Sequence, residues 1–156
     1  MEFSDEEHVL GVIPNASGGM LGKKMYNIVV TDRRLVMASL TSSMIKDEVK
    51  RVTRESKEQG VGRLKRMAIT MAAGANLYRR YFSMPVADIL SETSGNFTVE
   101  PGQIKSVKIK TNLSNDGTGY EILIKWTGGK LALHFSDISP KDAKSLLVQT
   151  LGNMVK

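Results

Sequence analysis

The chain has 156 residues, of which 41% are hydrophobic, with 22 basic side chains against 16 acidic ones and no cysteine. This length supports one domain around one core, so we expect residues 1–156 to form a single domain. The absence of cysteine excludes disulfides, thiolate metal sites and cysteine nucleophiles.

Three segments rich in Val, Ile and Leu open the chain. They cover residues 7–13, 25–31 and 34–41. The Asp32-Arg33 pair between the last two segments is typical of a tight hairpin turn. We therefore predict three antiparallel strands in this part.

Residues 42–90 have a helical pattern instead. Apolar residues recur at helical spacing after Ser42, until charged residues dominate near Ser56. Gly60 and Gly62 then interrupt the pattern. A second segment places apolar and small residues alternately four and three positions apart, which predicts one continuous helix face. This face consists of Leu64, Ala68, Met71, Ala75, Tyr78 and Phe82.

Strand patterns return after this segment. Alternating apolar residues predict strands at 97–99 and 104–111, then a hairpin over 120–135 that turns at Gly128-Gly129.

The last segment carries the signals of a helix. Ser139 is a good N-cap, Pro140 suits the first helical position, and Gly152 suits the end. The predicted fold is therefore mainly β, α+β by content, with about seven strands and a C-terminal helix. A helical insertion at about 42–90 separates the third and fourth strands.

The net positive charge is concentrated in the insertion. Residues 46–80 contain ten basic and four acidic side chains, which accounts for the whole formal charge of +6. Localised charge indicates a binding surface rather than a reaction centre. The 14–24 loop should lie at the same end of the sheet as the start of the insertion. The predicted anion-binding or lipid-binding residues are Lys23, Lys24, Arg63, Lys65, Arg66, Arg79 and Arg80.

Three interpretations of the insertion remain open at this point. In the first, the apolar face docks on a protein partner or on a second copy of the chain, and deletion of 60–84 leaves a folded monomer. In the second, this face lies on an anionic membrane while the basic residues meet the head groups. The third is binding to nucleic acid, which the sequence favours least because the aromatic residues are not interleaved with the basic ones.

The run Thr31-Asp32-Arg33-Arg34-Leu35 resembles the turn between the second and third strands of bacterial pleckstrin-homology-like and GRAM-type domains. The likeness covers residues 7–41 and 96–152. It implies a bent antiparallel barrel of seven strands, capped at one end by the C-terminal helix. In lipid-binding members, a rim of this barrel holds a phosphoinositide head group. The basic residues that such members carry further into the second strand are missing here, so we do not expect specific recognition of inositol phosphates.

The remaining chemistry indicates no enzyme. His8 and His134 have no ligand partners at metal-binding spacing, and we find no nucleophile with a base at a suitable position. The glycine-rich loop at 15–24 precedes a strand instead of the helix that a phosphate loop needs. We expect no metal and no cofactor, and we expect Arg33 and Arg34 to pair with nearby carboxylates. The N-terminus lacks a secretory signal, so we expect a cytoplasmic protein or one at the inner face of the membrane.

Overall fold

The computed structural model describes residues 6–18, 24–111 and 119–156, and these form one antiparallel sheet with helices on both of its faces. The strand order is β4-β3-β2-β1-β7-β6-β5. All the predicted strands are therefore confirmed, the first one running further than expected. The strands are β1 (Val9–Gly18), β2 (Lys24–Thr31), β3 (Leu35–Ser39), β4 (Phe97–Val99), β5 (Ile104–Lys110), β6 (Tyr120–Trp126) and β7 (Gly129–Phe135).

The sheet is not closed, in contrast to the predicted barrel. Strands β4 and β5 form its two edges. The edge of β5 is occupied by the end of the chain, because the Lys156 N–H donates to the Val107 oxygen at 2.7 Å. A second bond runs from the Ile109 N–H to the Lys156 oxygen at 3.3 Å. Strand β4 has only three residues, and the backbone groups of Val107 and Ile109 in β5 are already paired with Lys156. The two edges therefore do not join.

The main core lies on the inner face of the sheet, beneath the predicted C-terminal helix α4 (Pro140–Leu151). The Ser139 hydroxyl caps this helix by accepting from the Asp142 N–H at 3.1 Å. At the other end of the helix, the Thr150 hydroxyl donates to the Thr31 oxygen, where β2 ends. The C-terminal end of α4 therefore lies at the end of the sheet at which β2 finishes. Its buried side chains are Ala143, Leu146, Leu147 and Leu151.

The insertion between β3 and β4 is helical, as predicted, but its second helix is shorter. A single helix face over 64–82 was expected, whereas the α-helix ends at Ala73 and a 3-10 segment covers Leu77–Phe82. The break occurs at Gly74, where an added Cβ would lie 3.1 Å from the Ile45 side chain. The helices of the insertion are α1 (Ser42–Glu58), α2 (Arg63–Ala73) and α3 (Val86–Ser91).

The 3-10 segment and α3 build a second core on the outer face of β1–β3. Tyr81 and Ile89 are fully buried there against Val29 and Val36 of the sheet. Strand β2 is buried from Tyr26 to Thr31 because both of its faces are covered. Deletion of 60–84 would remove Tyr81 from this core, so we no longer expect that deletion to leave a folded domain.

Candidate docking face

Helices α1 and α2 form a hairpin in which they pack chiefly against each other. The Thr53 and Thr70 hydroxyls meet at 3.1 Å across the contact. Ser56 is the buried residue of α1, and Ala73 is that of α2. The hairpin therefore contributes little to either core, and most of its surface is available to solvent.

The hairpin is fixed to the sheet at its base by Asn15. This residue lies in β1 with a left-handed backbone, φ 54°, at an irregularity in the pairing with β2. Its Nδ2 donates to the Ala75 oxygen at 3.0 Å and to the Asp137 carboxylate at 2.6 Å. Its backbone N–H donates to the Asn27 side-chain oxygen at 2.9 Å. These bonds tie the segment after α2 to the body of the fold.

The outer side of α2 is an unusually exposed apolar surface. Leu64 is 84% exposed and Met71 is 81% exposed, and Met67 is more than half exposed. Leu64 lies about 120° around the helix from Thr70, which faces α1, whereas Met67 and Met71 lie closer to Thr70 and line a groove with it. Such patches on a folded chain mark contact surfaces. We define the apolar stripe as Leu64, Met67, Ala68 and Met71.

The other three members of the predicted six-residue face do not belong to α2. Ala75 is exposed but follows the end of the helix. Tyr78 is half-buried and packs against the second core. Phe82 remains 56% exposed, with its ring centroid 6.5 Å from that of Tyr78. Because of the break at Gly74, the predicted face therefore divides into two separate surfaces.

Arg80, a predicted anion-binding residue, is engaged within the fold. It forms an ion pair with Glu92, and its guanidinium group lies 5.6 Å from the centre of the Tyr81 ring. Glu92 also accepts a hydrogen bond from the Tyr81 hydroxyl at 2.6 Å. Burial raises the pKa of Tyr81, and the Glu92 carboxylate raises it further, so this hydroxyl stays protonated. Arg80 thus helps to hold the 3-10 segment in place.

Of the remaining predicted basic residues, the structure describes five, and four of these are exposed. Lys23 lies outside the described residues. Lys24 is exposed at the start of β2. The Leu40 N–H, just before α1, donates to the oxygen of the neighbouring Met25 at 2.8 Å. Lys24 therefore lies at the end of the sheet where α1 begins, as predicted. Arg66 is half-buried in the groove between α1 and α2. The described part of the chain provides no ion pair for the members that follow, namely Lys24, Arg63, Lys65, Arg66 and Arg79.

A basic stripe on α1 was missed by the sequence analysis. It consists of Lys46, Lys50, Arg54 and Lys57, which share one side of the helix because they are spaced by three or four residues. Lys50, Arg54 and Lys57 line one shallow groove of about 340 Å³. Lys57 also lines a second groove, of about 400 Å³, together with Arg66, Met67 and Met71. The basic stripe of α1 and the apolar stripe of α2 are therefore neighbours. Together with Arg66, they form what we call the docking face.

Two of the four acidic side chains of α1, Glu48 and Glu55, are held on another side of the helix, whereas Asp47 and Glu58 lie about 20° and 40° around it from Arg54. Arg51 binds Glu55 at 2.8 Å and also pairs with Glu48, and this hydrogen bond lowers the pKa of Glu48. These three residues lie roughly 100 to 160° around the helix from Lys50, at about 100° per residue. No described carboxylate lines either groove. The docking face is thus more positive than the composition of α1 suggests.

The turn between β2 and β3 has a structural role. Arg34 binds the Glu7 carboxylate through Nε at 3.0 Å and through a terminal nitrogen at 2.9 Å, which confirms the expected pairing with a carboxylate. The Thr31 hydroxyl accepts from the backbone N–H groups of Arg33 and Arg34 and contacts Glu7. The pattern that carries the family resemblance therefore holds the turn and the N-terminal segment together.

The described residues contain no group of three His, Cys, Asp or Glu side chains that could hold a metal ion. Within the same ranges, no helix is both long and apolar enough to cross a bilayer. Comparisons with protein-family models, curated proteins and solved structures find no match for this chain.

Proposed function

We propose that this chain is a non-catalytic binding domain of pleckstrin-homology-like architecture that docks on a partner through the α1–α2 hairpin. The observation that carries this proposal is the exposure of Leu64 and Met71, at 84% and 81%. Side chains of this size left in water add nothing to the packing of the fold, whereas they suit a surface that becomes covered on binding.

Three features support the assignment to a pleckstrin-homology-like architecture. One face of the seven-stranded antiparallel sheet covers the main core, the C-terminal helix packs on that core, and the Thr-x-x-Arg turn joins β2 to β3. The helical insertion between β3 and β4 is the distinctive element of this chain. It is therefore where we place the binding role.

A protein partner or a second copy of the chain is one candidate occupant of the apolar stripe. The small side chains of Ala68 and Ala72 in the middle of α2 let another helix approach closely. Light scattering of the intact chain tests this candidate. An oligomer that becomes a monomer when the stripe is made polar would assign the stripe to a second copy.

We expect the double substitution Leu64→Ser/Met71→Ser to change the free energy of unfolding by less than about 0.5 kcal/mol, because both side chains are already in water. Urea unfolding measures this change. The matched control is Leu77→Ser, in the same insertion but buried, which should cost about 2 to 4 kcal/mol. A loss above about 2 kcal/mol in the double variant would mean that the stripe packs within the fold, and would refute the proposed docking role.

A further inference from the structure

We infer that the surface covering the docking face is an anionic membrane, an inference that rests on the proposed binding function. The two stripes lie side by side, with Lys57 and Arg66 in the same groove as Met67 and Met71. A partner must therefore accept apolar side chains and positive charges next to one another. The interface of an anionic bilayer does so, because acyl chains lie directly beneath its phosphates.

Charge complementarity favours lipid over a second copy. In a symmetric dimer formed through this face, the basic stripes of the two copies would lie next to each other. Arg51 holds two of the four carboxylates of α1, Glu48 and Glu55, on another side of the helix. The other two, Asp47 and Glu58, are outnumbered by the five basic residues of the docking face. Like charges brought together in this way oppose association. The occupant must therefore supply negative charge of its own.

The start of α2 adds an independent electrostatic observation. Arg63, Lys65 and Arg66 lie in or next to its first turn, which contains no acidic residue. Cations are unfavourable at this position because the N-terminal end of a helix is itself partly positive. A layer of phosphate groups against this end interacts favourably with both the side chains and the free backbone N–H groups.

The shape of the docking face also suits a membrane. Leu64 and Met71 project from a convex helix, so they reach outward and do not line a deep cleft. Interfacial helices insert such side chains about 5 to 10 Å into the boundary between head groups and acyl chains. The neighbouring Lys and Arg side chains then extend along the surface to the phosphates.

Vesicle sedimentation of the full chain tests the inference. We expect binding to vesicles of phosphatidylcholine with phosphatidylserine at about a third of the lipid, weak binding to pure phosphatidylcholine, and loss of binding at high salt. Replacement of the basic stripe, Lys50→Gln/Arg54→Gln/Lys57→Gln, should reduce partitioning roughly 100-fold, since each basic residue near such a surface changes it about fivefold. Leu64→Ser/Met71→Ser should reduce it at least tenfold.

The matched control removes the same charge elsewhere, by Lys108→Gln/Lys141→Gln/Lys144→Gln. These lysines are exposed, and none of them lines either groove of the docking face. We expect partitioning within about threefold of the unmodified chain. An equal loss in this control and in the stripe variant would overturn the inference, because binding would then follow net charge alone.

A chain that does not sediment with the phosphatidylserine vesicles at low salt would also overturn the inference. The proposed function has a separate readout, which is the oligomer size from light scattering. An oligomer that depends on Leu64 and Met71, without vesicle binding, would leave the docking role in place and assign the face to a second copy. A monomer that binds no vesicles would overturn the lipid inference. If Leu64→Ser/Met71→Ser also lost more than about 2 kcal/mol of stability, the docking role would be refuted as well.

Discussion

Replacement of Tyr81 by Ala is expected to lower the free energy of unfolding by about 3 to 5 kcal/mol. Tyr81 is fully buried on the outer face of the sheet, where the loss of its ring leaves a cavity against Val29 and Val36. The substitution also removes the hydroxyl that donates to Glu92 at 2.6 Å. Urea unfolding followed by circular dichroism measures the change.

The neighbouring aromatic residue is the control for this prediction. Phe82→Ala removes a similar ring from a side chain that is 56% exposed, so we expect a loss of no more than about 1 kcal/mol. Tyr81→Phe separates the ring from the hydroxyl and should cost about 1 to 2 kcal/mol. If Tyr81→Ala unfolds at the same urea concentration as the unmodified chain, the second core does not stabilise the protein.

The role of Tyr81 was not visible in the helical spacing. Tyr78 and Phe82 continue the four-and-three pattern of α2, so the pattern assigned them to one face and left Tyr81 outside it. Gly74 ends the α-helix and changes the direction of every later side chain. A signal was present in β2, where the uninterrupted apolar run of residues 28–30 indicates a strand covered on both faces. That run implies a covering element but does not say which segment provides it.

Local patterns predicted the elements better than their arrangement. The strands follow from alternation and the C-terminal helix from its caps, because these signals depend on adjacent residues. Closure of the sheet depends instead on whether β4 and β5 meet. In the structure the edge of β5 pairs with Val155 and Lys156, which a strand pattern does not reveal.

The candidate site was predicted in part for a similar reason. The apolar residues of α2 were found because their spacing is that of one helix face. Counting charges along the chain hid the basic stripe, since Lys46 and Lys50 are interspersed in sequence with Asp47 and Glu48. The shared side of the basic residues, away from Glu48, becomes visible only when the sequence is placed around the helix. Arg80 was predicted to be an anion-binding residue because its partner Glu92 is distant in sequence. The fold brings the two side chains together as an ion pair.

Glu7→Ala is expected to lower the free energy of unfolding by about 2 to 3 kcal/mol. The Glu7 side chain is only 9% exposed, and it accepts hydrogen bonds from Nε and one terminal nitrogen of Arg34 and from the Thr31 hydroxyl. Its removal leaves Arg34 with the more exposed Glu100, at 3.2 Å. Removal of one partner from a buried pair costs about 3 to 5 kcal/mol, and the partial exposure of Arg34 reduces that cost.

A double-mutant cycle distinguishes the ion pair from the packing of its side chains. Arg34→Met keeps most of the apolar stem and removes the charge, so Glu7→Ala/Arg34→Met should lose about 1 to 2 kcal/mol less than the two single variants added together. Arg34→Lys keeps the charge but loses the two-pronged geometry, and should fall between the unmodified chain and Arg34→Met. Strictly additive losses in urea unfolding would show that Glu7 and Arg34 act independently. The Thr-x-x-Arg turn would then be held by its backbone hydrogen bonds to Thr31 and not by the ion pair.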